Sequence, residues 1–322
     1  MMPFPSSDGP TLSLVIPCYN EQMVLHTLRE RLSTVCDKLQ HETVEIILIN
    51  DGSKDTTWPL IQEWARQDKR VTAINLSRNY GHQIALTAGL TYAQGVRILI
   101  LDADLQDPPE LLPAMLDLME SEKADVVYGQ RQTRQGERFF KCMSARLFYR
   151  LIDALSDTPL PANVGDFRLI SRRVADHLSA MPEQARYIRG MTSWVGFKQV
   201  PFPYERQPRH AGETKYPLRK MLHFAADAIT GFSVIPLRVA SYLGALFGVI
   251  GLFLLIYVLG SWLMGETVQG WTSLMVVVLV IGSVQLLCLG VFGEYLGRLY
   301  MESKRRPLYL IDEVVTCADV SS

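Results

Sequence analysis

Residues 97–110 read RILILDADLQDPPE. The apolar run Arg97–Leu101 predicts a β-strand, the polar group Asp102-Ala-Asp104-Leu-Gln106 follows at its end, and a helix-like stretch at 109–121 comes next. The same grammar recurs upstream. Strands are expected at Leu12–Ile16, Glu45–Asn50 and Val71–Leu76, followed by Pro17-Cys-Tyr-Asn-Glu21, Asp51-Gly-Ser-Lys-Asp55 and Ser77-Arg-Asn79. Helix-like segments lie at about 21–40, 56–68 and 82–94, with a fifth strand at Asp125–Tyr128. This alternation predicts an α/β domain built from βαβ units, a mostly parallel sheet with helices on both faces. Such sheets bind ligands beyond the carboxyl ends of their strands, which is where the polar residues collect. No GxGxxG fingerprint and no Walker lysine loop is present, so neither of those phosphate cradles is indicated.

Acids occupy the ends instead. Asp102 and Asp104 are two residues apart, and residues i and i+2 of a strand project to one side, so both are expected to approach one ligand. Carboxylates about 4 Å from a diphosphate cost roughly 4 kcal/mol per pair of unit charges at an effective dielectric near 20, which calls for a cation between them. Oxygen ligands point to Mg²⁺ or Mn²⁺, with Gln106 as a further ligand. Asp at a strand end also serves as a turn or helix-cap residue, and that alternative stands for the pair taken alone.

The 322 residues carry 32 Lys+Arg against 33 Asp+Glu, a balance that argues against nucleic acid as a partner. Charge is unevenly spread: between Val239 and Gly293 the only charged side chain is Glu266. Residues 239–264 and 271–293 each exceed the roughly 20 that a helix needs to span a bilayer. Arg238 precedes the first span, Arg298, Lys304, Arg305 and Arg306 follow the second, and the connecting GETVQG lacks a basic residue, so head and tail are expected on the cytoplasmic side. The start, MMPFPSSDGP, lacks the pattern of a signal peptide, in keeping with that side. Leu218, Met221, Leu222, Ala225, Ile229 and Phe232 recur at helical spacing beside Arg219, Lys220 and His223, which predicts an interfacial helix or one packed on the soluble domain. The expected organisation is a head at 1–216, the interfacial region at 217–235, two transmembrane helices within 236–298, and a tail at 299–322. A strand at about 307–315 in that tail would cover a sheet edge in its own chain or a neighbour's. The five cysteines are scattered, with neither a disulfide framework nor zinc-ligand spacing.

Four motifs in order, VIPCYNE (15–21), NDGSKD (50–55), LSRNYG (76–81) and LDADLQDPPE (101–110), resemble family-2 glycosyltransferases of the GT-A fold, in the branch that uses polyprenyl phosphates. RQGE (134–137), NVGDFRLISR (163–172), RYIRGMTSWVG (186–196), AGETKYPLRK (211–220) and GVFGEYLGR (290–298) look like the bactoprenol glucosyltransferases, relatives of dolichyl-phosphate mannose synthase. The resemblance covers about residues 11–312. It implies that Pro17, Tyr19, Glu21, Asp51, Asp102 and Ala103 hold the nucleotide. Asp51 would accept from the uracil N–H, which cytosine lacks. It implies further that Asp102, Asp104 and Gln106 hold Mg²⁺ or Mn²⁺ on the diphosphate, with Asp104 essential to catalysis.

Arg131, Arg206, Arg209 and Lys215, chosen from a larger basic set, would hold the acceptor phosphate. Asp166 resembles the branch's catalytic base. A phosphate monoester with a second pKa near 6 needs little deprotonation, however, so orienting Arg168 or the sugar hydroxyls is an equal reading. His82 departs from the pattern, since many relatives carry Lys there, and its role is open. GDFR favours a hexose donor. The implied activity is inverting, metal-dependent transfer of a hexose from a UDP-sugar to undecaprenyl phosphate at the bacterial inner membrane, yielding a lipid-linked sugar for cell-envelope glycans. A tetramer is implied by close relatives. Alternatives are another sugar, such as N-acetylglucosamine, galactose or an amino-arabinose type, or a silent scaffold or nucleotide-sugar sensor. Gln184-Ala-Arg-Tyr-Ile is not the Gln-x-x-Arg-Trp element of processive synthases.

Overall fold

The structure, a computed structural model, describes residues 9–131, 164–206, 235–264 and 270–320. The first half alternates strand and helix: β1 (Leu12–Cys18), α1 (Leu25–Lys38), β2 (Val44–Asn50), α2 (Thr57–Gln67), β3 (Val71–Leu76), α3 (His82–Tyr92) and β4 (Arg97–Ile100). A single 3₁₀ turn, Pro109–Leu111, leads into α4 (Leu112–Ser121) and then β5 (Val126–Arg131). After it come β6 (Val164–Ser171), α5 (Arg172–Ala180), α6 (Ile188–Val195) and β7 (Gln199–Tyr204). The chain continues with α7 (Ile235–Leu263), α8 (Trp271–Ser303) and β8 (Ile311–Thr316).

Eight strands form one sheet in the order β7-β5-β6-β4-β1-β2-β3-β8. β1 pairs in parallel with β2 and β4, β2 with β3, and β5 with β7, while β6 and β8 run antiparallel to their neighbours. This is the mostly parallel α/β sheet expected from the apolar runs. Both faces are covered. Leu12, Leu14, Ile16, Ile46 and Leu48 pack with Leu28, Leu32, Ile61, Trp64 and Met115 from α1, α2 and α4. On the other face Val15 and Ile49 meet α3.

The β1 strand runs two residues beyond its expected end and takes in Pro17, a residue that cannot donate to a ladder. Its place is physically reasonable. The last β1–β4 bond is donated by Leu101 N–H to Val15 O at 3.1 Å, and pairing with β4 stops at Val15. Successive residues face alternate neighbours, so Pro17 faces the β4 side after that ladder has ended. There the chain leaves the sheet at Leu101 and turns into Asp102, opening the end of the sheet. Pairing with β2 continues to Cys18.

The C-terminal strand covers the β3 edge of its own chain, with Ile74 opposite Val314, and Asn75 Nδ2 donates to Asp312 Oδ2 at 3.0 Å. The two long helices form a separate compact unit and pack on each other, where Cys288 Sγ donates to Ala240 O at 3.5 Å. Within them, Leu237–Leu254 and Val280–Ser303 are long and apolar enough to cross a membrane by length and composition. The interfacial segment expected at 217–235, Arg209 and Lys215 lie outside the described residues, apart from Ile235 at the start of α7.

Gly89 sets how closely α3 lies on the sheet: a Cβ there would fall 2.4 Å from Val15 Cγ1 and 2.7 Å from Ile49 Cδ1. Alanine would gain about 1 kcal/mol of helix propensity, but overpacking a dense core costs about 1–3 kcal/mol. The net for Gly89→Ala is therefore expected to be destabilising, read as a lower thermal unfolding midpoint of the full-length protein in detergent.

Candidate active site

Polar residues gather where β1, β2 and β4 end. Asp51, just past β2, is 3% exposed, and its carboxylate accepts the backbone N–H groups of Tyr80 (2.7 Å, Oδ1) and Gly81 (2.9 Å, Oδ2). Asn79 Nδ2 donates to Asp51 O at 3.1 Å. Gly52 allows this contact. Its φ is +63°, and a Cβ would meet the backbone of Arg78 and Asn79 at 2.5 Å. Burial raises the Asp51 pKa, and the two amide bonds offset only part of that. Asp51 thus has a task the sequence did not disclose: it pins residues 79–81 and so sets the start of α3, where His82 is the first residue.

The antiparallel strand β6 brings the next acid in. Arg97 pairs with Ser171 and Ile100 with Arg168, where the ladder ends, and Asp166, two residues before Arg168 in β6, comes within reach of the same imidazole as Asp102. His82 Nε2 lies 3.2 Å from Asp166 Oδ2 and 3.4 Å from Asp102 Oδ1, and ligand atoms of these three residues lie within 4.8 Å of one another. Arg189 from α6 grips Asp166 with both arms, Nε to Oδ1 at 2.7 Å and Nη2 to Oδ2 at 3.0 Å. Gln83 Nε2 adds a bond to Oδ2 at 3.3 Å, and Gln83 Oε1 accepts the Ile188 N–H at 2.8 Å, tying α3 to α6. Arg168, 3% exposed, donates to Asp166 O (3.3 Å) and Gly165 O (2.9 Å).

These contacts decide the charges. Burial alone would raise the Asp166 pKa, but the bonds from His82 and Arg189 outweigh it and hold the carboxyl far below the usual carboxylate range. Burial pushes Asp102 the other way, up to about 6, with Asp166, Asp107 and Asp104 adding repulsion that His82 only partly relieves. Burial would lower His82, yet its bond to Asp166 and the charges of Asp102 and Asp166 raise it on balance. Its neighbours thereby favour on this imidazole the positive charge that a lysine would carry.

The expected strand-like projection of Asp102 and Asp104 is not what the structure contains. β4 ends at Ile100, and 102–106 is a turn in which Leu105 has φ +59° and Gln106 N–H donates to Asp104 Oδ1 at 3.1 Å. A left-handed leucine costs roughly 1–2 kcal/mol, and Leu105 is 1% exposed, so its core packing helps hold the strained turn. Asp104 is 9% exposed. Asp102 Oδ1 is buried without a hydrogen-bond partner among the described residues, the kind of oxygen that suits a hard cation. Asp166, by contrast, already has a guanidinium on both oxygens.

Of the other expected residues, Pro17 is buried in β1, Ala103 is 3% exposed, Tyr19 is 43% exposed, and the Glu21 N–H donates to Thr57 Oγ1 at 2.8 Å. Arg131 and Arg206 come together around Asp107. Sequence reasoning assigned no role to Gln83, Asp107, Arg189 or Tyr204. Arg189 stood in view within RYIRGMTSWVG, but nothing local pairs it with Asp166.

A profile for glycosyl transferase family 2 matches residues 13–179, just over half of the chain. The chain belongs to this family. A second profile, the GtrB C-terminal hairpin, matches residues 235–299 of this glycosyltransferase, the stretch of α7 and α8. It is 47% identical over 304 residues to the uncharacterized glycosyltransferase YkcC of Bacillus subtilis, covering 94% of this chain and 93% of that one. It is 38% identical over 313 residues to the prophage bactoprenol glucosyl transferase homolog of Escherichia coli, covering 94% and 99%. The bactoprenol glucosyl transferase of Shigella phage SfV is 38% identical over 306 residues, covering 93% and 97%. The sheet and its helices are thus the GT-A catalytic domain of a glycosyltransferase.

The clamp on Asp166 is testable through pH. An adjacent opposite charge lowers a carboxyl pKa by about 1–3 units, so Arg189→Gln is expected to raise that of Asp166 by this order. A group with a depressed pKa loses its charge as pH falls, so the Asp166 carboxyl of the variant should take up its proton at a higher pH than that of the parent. An NMR titration of the labelled carboxyl carbon measures it.

Proposed function

We propose that this glycosyltransferase moves a hexose, glucose in the first instance, from a UDP-sugar to undecaprenyl phosphate with inversion, at the cytoplasmic face of the bacterial inner membrane. The observation that carries the reading is full-length similarity to proteins named bactoprenol glucosyl transferase, at 37–38% identity over 93–94% of the chain. Two helices apolar enough to span a bilayer support a lipid acceptor and a multi-pass placement, and the basic residues flanking them support a cytoplasmic head.

On the donor side, the reading gives Pro17, Tyr19, Glu21, Asp51, Asp102 and Ala103 to the nucleotide. Each Asp51 oxygen has taken one backbone N–H and retains capacity for a second, which is compatible with accepting from uracil. Asp102, Asp104 and Gln106 would hold Mg²⁺ or Mn²⁺, and Asp102 Oδ1, buried with no hydrogen bond among the described residues, suits that role. Such an ion would supply Lewis-acid stabilisation of the departing diphosphate.

On the acceptor side, Arg131, Arg206, Arg209 and Lys215 would receive the lipid phosphate. Its oxygen attacks the anomeric carbon in line as the bond to UDP breaks. The phosphate is largely dianionic at pH 7, with a second pKa near 6. The depressed pKa of Asp166 makes it a poor proton acceptor, which favours its acting as a positioner, with Arg189 and His82 holding it charged beside the sugar.

The test is transfer of radiolabelled sugar from a panel of UDP-sugars to undecaprenyl phosphate by purified protein. Glucose is expected to transfer best. EDTA should abolish transfer, and Asp104→Asn should lower it by more than about 100-fold, since even outer-sphere partners of a metal cost about 10–100-fold. Transfer unaffected by both would remove the metal. Asp166→Asn separates the two roles: a positioner leaves the acid limb of the pH–rate profile in place, whereas an essential base takes that limb with it.

A further inference from the structure

Asp107 is fully buried five residues beyond Asp102, on the same loop. Two arginines from separate strands converge on it. Arg131 ends β5, and Arg206 lies two residues past the end of β7. Arg131 Nη2 lies 3.7 Å from Asp107 Oδ2, and Arg206 Nε lies 3.6 Å from Oδ1. Tyr204, opposite Arg131 in the β5–β7 register, links Arg131 to Asp107: its hydroxyl donates to Asp107 Oδ1 and accepts from Arg131 Nε at 3.3 Å.

The surroundings are shaped for this arrangement. A Cβ on Gly165 would fall 2.4 Å from Arg131 Nη2, so the guanidinium rests against the backbone immediately before Asp166. The Tyr204 ring stands edge-on to Phe167, with centroids 5.6 Å apart, in space that Gly129 leaves open. Two guanidiniums against one carboxylate leave the group with an excess positive charge. The arginine side chains are about a quarter to a third exposed, whereas the aspartate has no exposure at all. An anion can therefore reach the arginines but not the acid.

We propose that Asp107, directly for Arg206 and with the help of Tyr204 for Arg131, is the positioning residue that holds the two arginines as a paired cradle for the phosphate of the acceptor. Because the same loop carries Asp102 and Asp104, it joins that cradle to the donor-side acids. The proposal rests on the reading of a polyprenyl phosphate as acceptor. It also has an unusual sign. If Asp107 served only as a counter-charge, neutralising it would make the group more positive and bind a phosphate more tightly. If it positions the arginines, neutralising it weakens acceptor binding.

The experiment is steady-state transfer by full-length protein in detergent from UDP-glucose to a short isoprenyl phosphate, varying each substrate in turn. Asp107→Asn and Tyr204→Phe are each expected to raise the acceptor KM by about 10-fold or more, with the donor KM within about twofold and kcat less affected. An acceptor KM that falls or stays level overturns the positioning role, as does an equal rise in both KM values. Tyr204→Phe keeps the ring against Phe167 and removes only the linking hydroxyl, so it decides the matter should Asp107→Asn fail to fold. A parent enzyme that transfers to no isoprenyl phosphate overturns the acceptor reading and this inference together. Normal parent transfer with unmoved variants overturns the inference alone.

Discussion

Crowding of negative charge at one end of the sheet is the constraint around which the head is built. Asp51, Asp102, Asp104, Asp107 and Asp166 all lie at or near the ends of strands, and four of the five are less than about one-tenth exposed. Two like charges 4 Å apart repel by about 4 kcal/mol at an effective dielectric near 20, so each must be answered or neutralised. The fold answers them differently. Asp51 takes two backbone amides, Asp166 takes Arg189, His82 and Gln83, and Asp107 takes Tyr204 with two arginines nearby. Asp102 is answered least: burial pushes its pKa up to about 6, and one of its oxygens, like Asp107 Oδ2, has no hydrogen bond among the described residues.

That inequality gives the site its chemical direction. An acid that accepts two backbone amides is a structural pin, which describes how Asp51 fixes the turn before α3. An acid compensated by a two-armed guanidinium is a rigid anion and a weak base, which describes Asp166. An under-compensated one attracts a cation, which suits Asp102. The turn that carries it is held under backbone strain at Leu105, a cost that core packing of the leucine side chain helps to offset. Strain concentrated between Asp104 and Gln106 is consistent with a turn shaped for ligand contact.

Much of the fold is readable locally. The runs ending at Asn50, Leu76 and Ile100 announce themselves by β-branched content and by the polar group that follows each. The two long C-terminal helices are equally plain, because an uncharged stretch longer than about 20 residues has few other uses. The acids beyond β2 and β4 are visible for the same reason, as polar residues just past apolar runs. Boundaries were less legible. Pro17 looks like a strand terminator, yet it lies inside β1 because its missing donor faces a neighbour that has already peeled away.

The amino-acid sequence by itself determined the alternating α/β architecture, the family, and the acids that would gather at the strand ends, since each depends on spacing within a few residues. Which acid meets which partner was decided only by tertiary structure. β6 enters antiparallel between β4 and β5 and brings Asp166 to the imidazole that Asp102 also approaches. α6 then delivers Arg189, and β7 delivers Tyr204 to Asp107. The physical reason is that a carboxylate's charge and pKa depend on what lies within a few ångströms of it, and here those neighbours come from elements far apart in the chain.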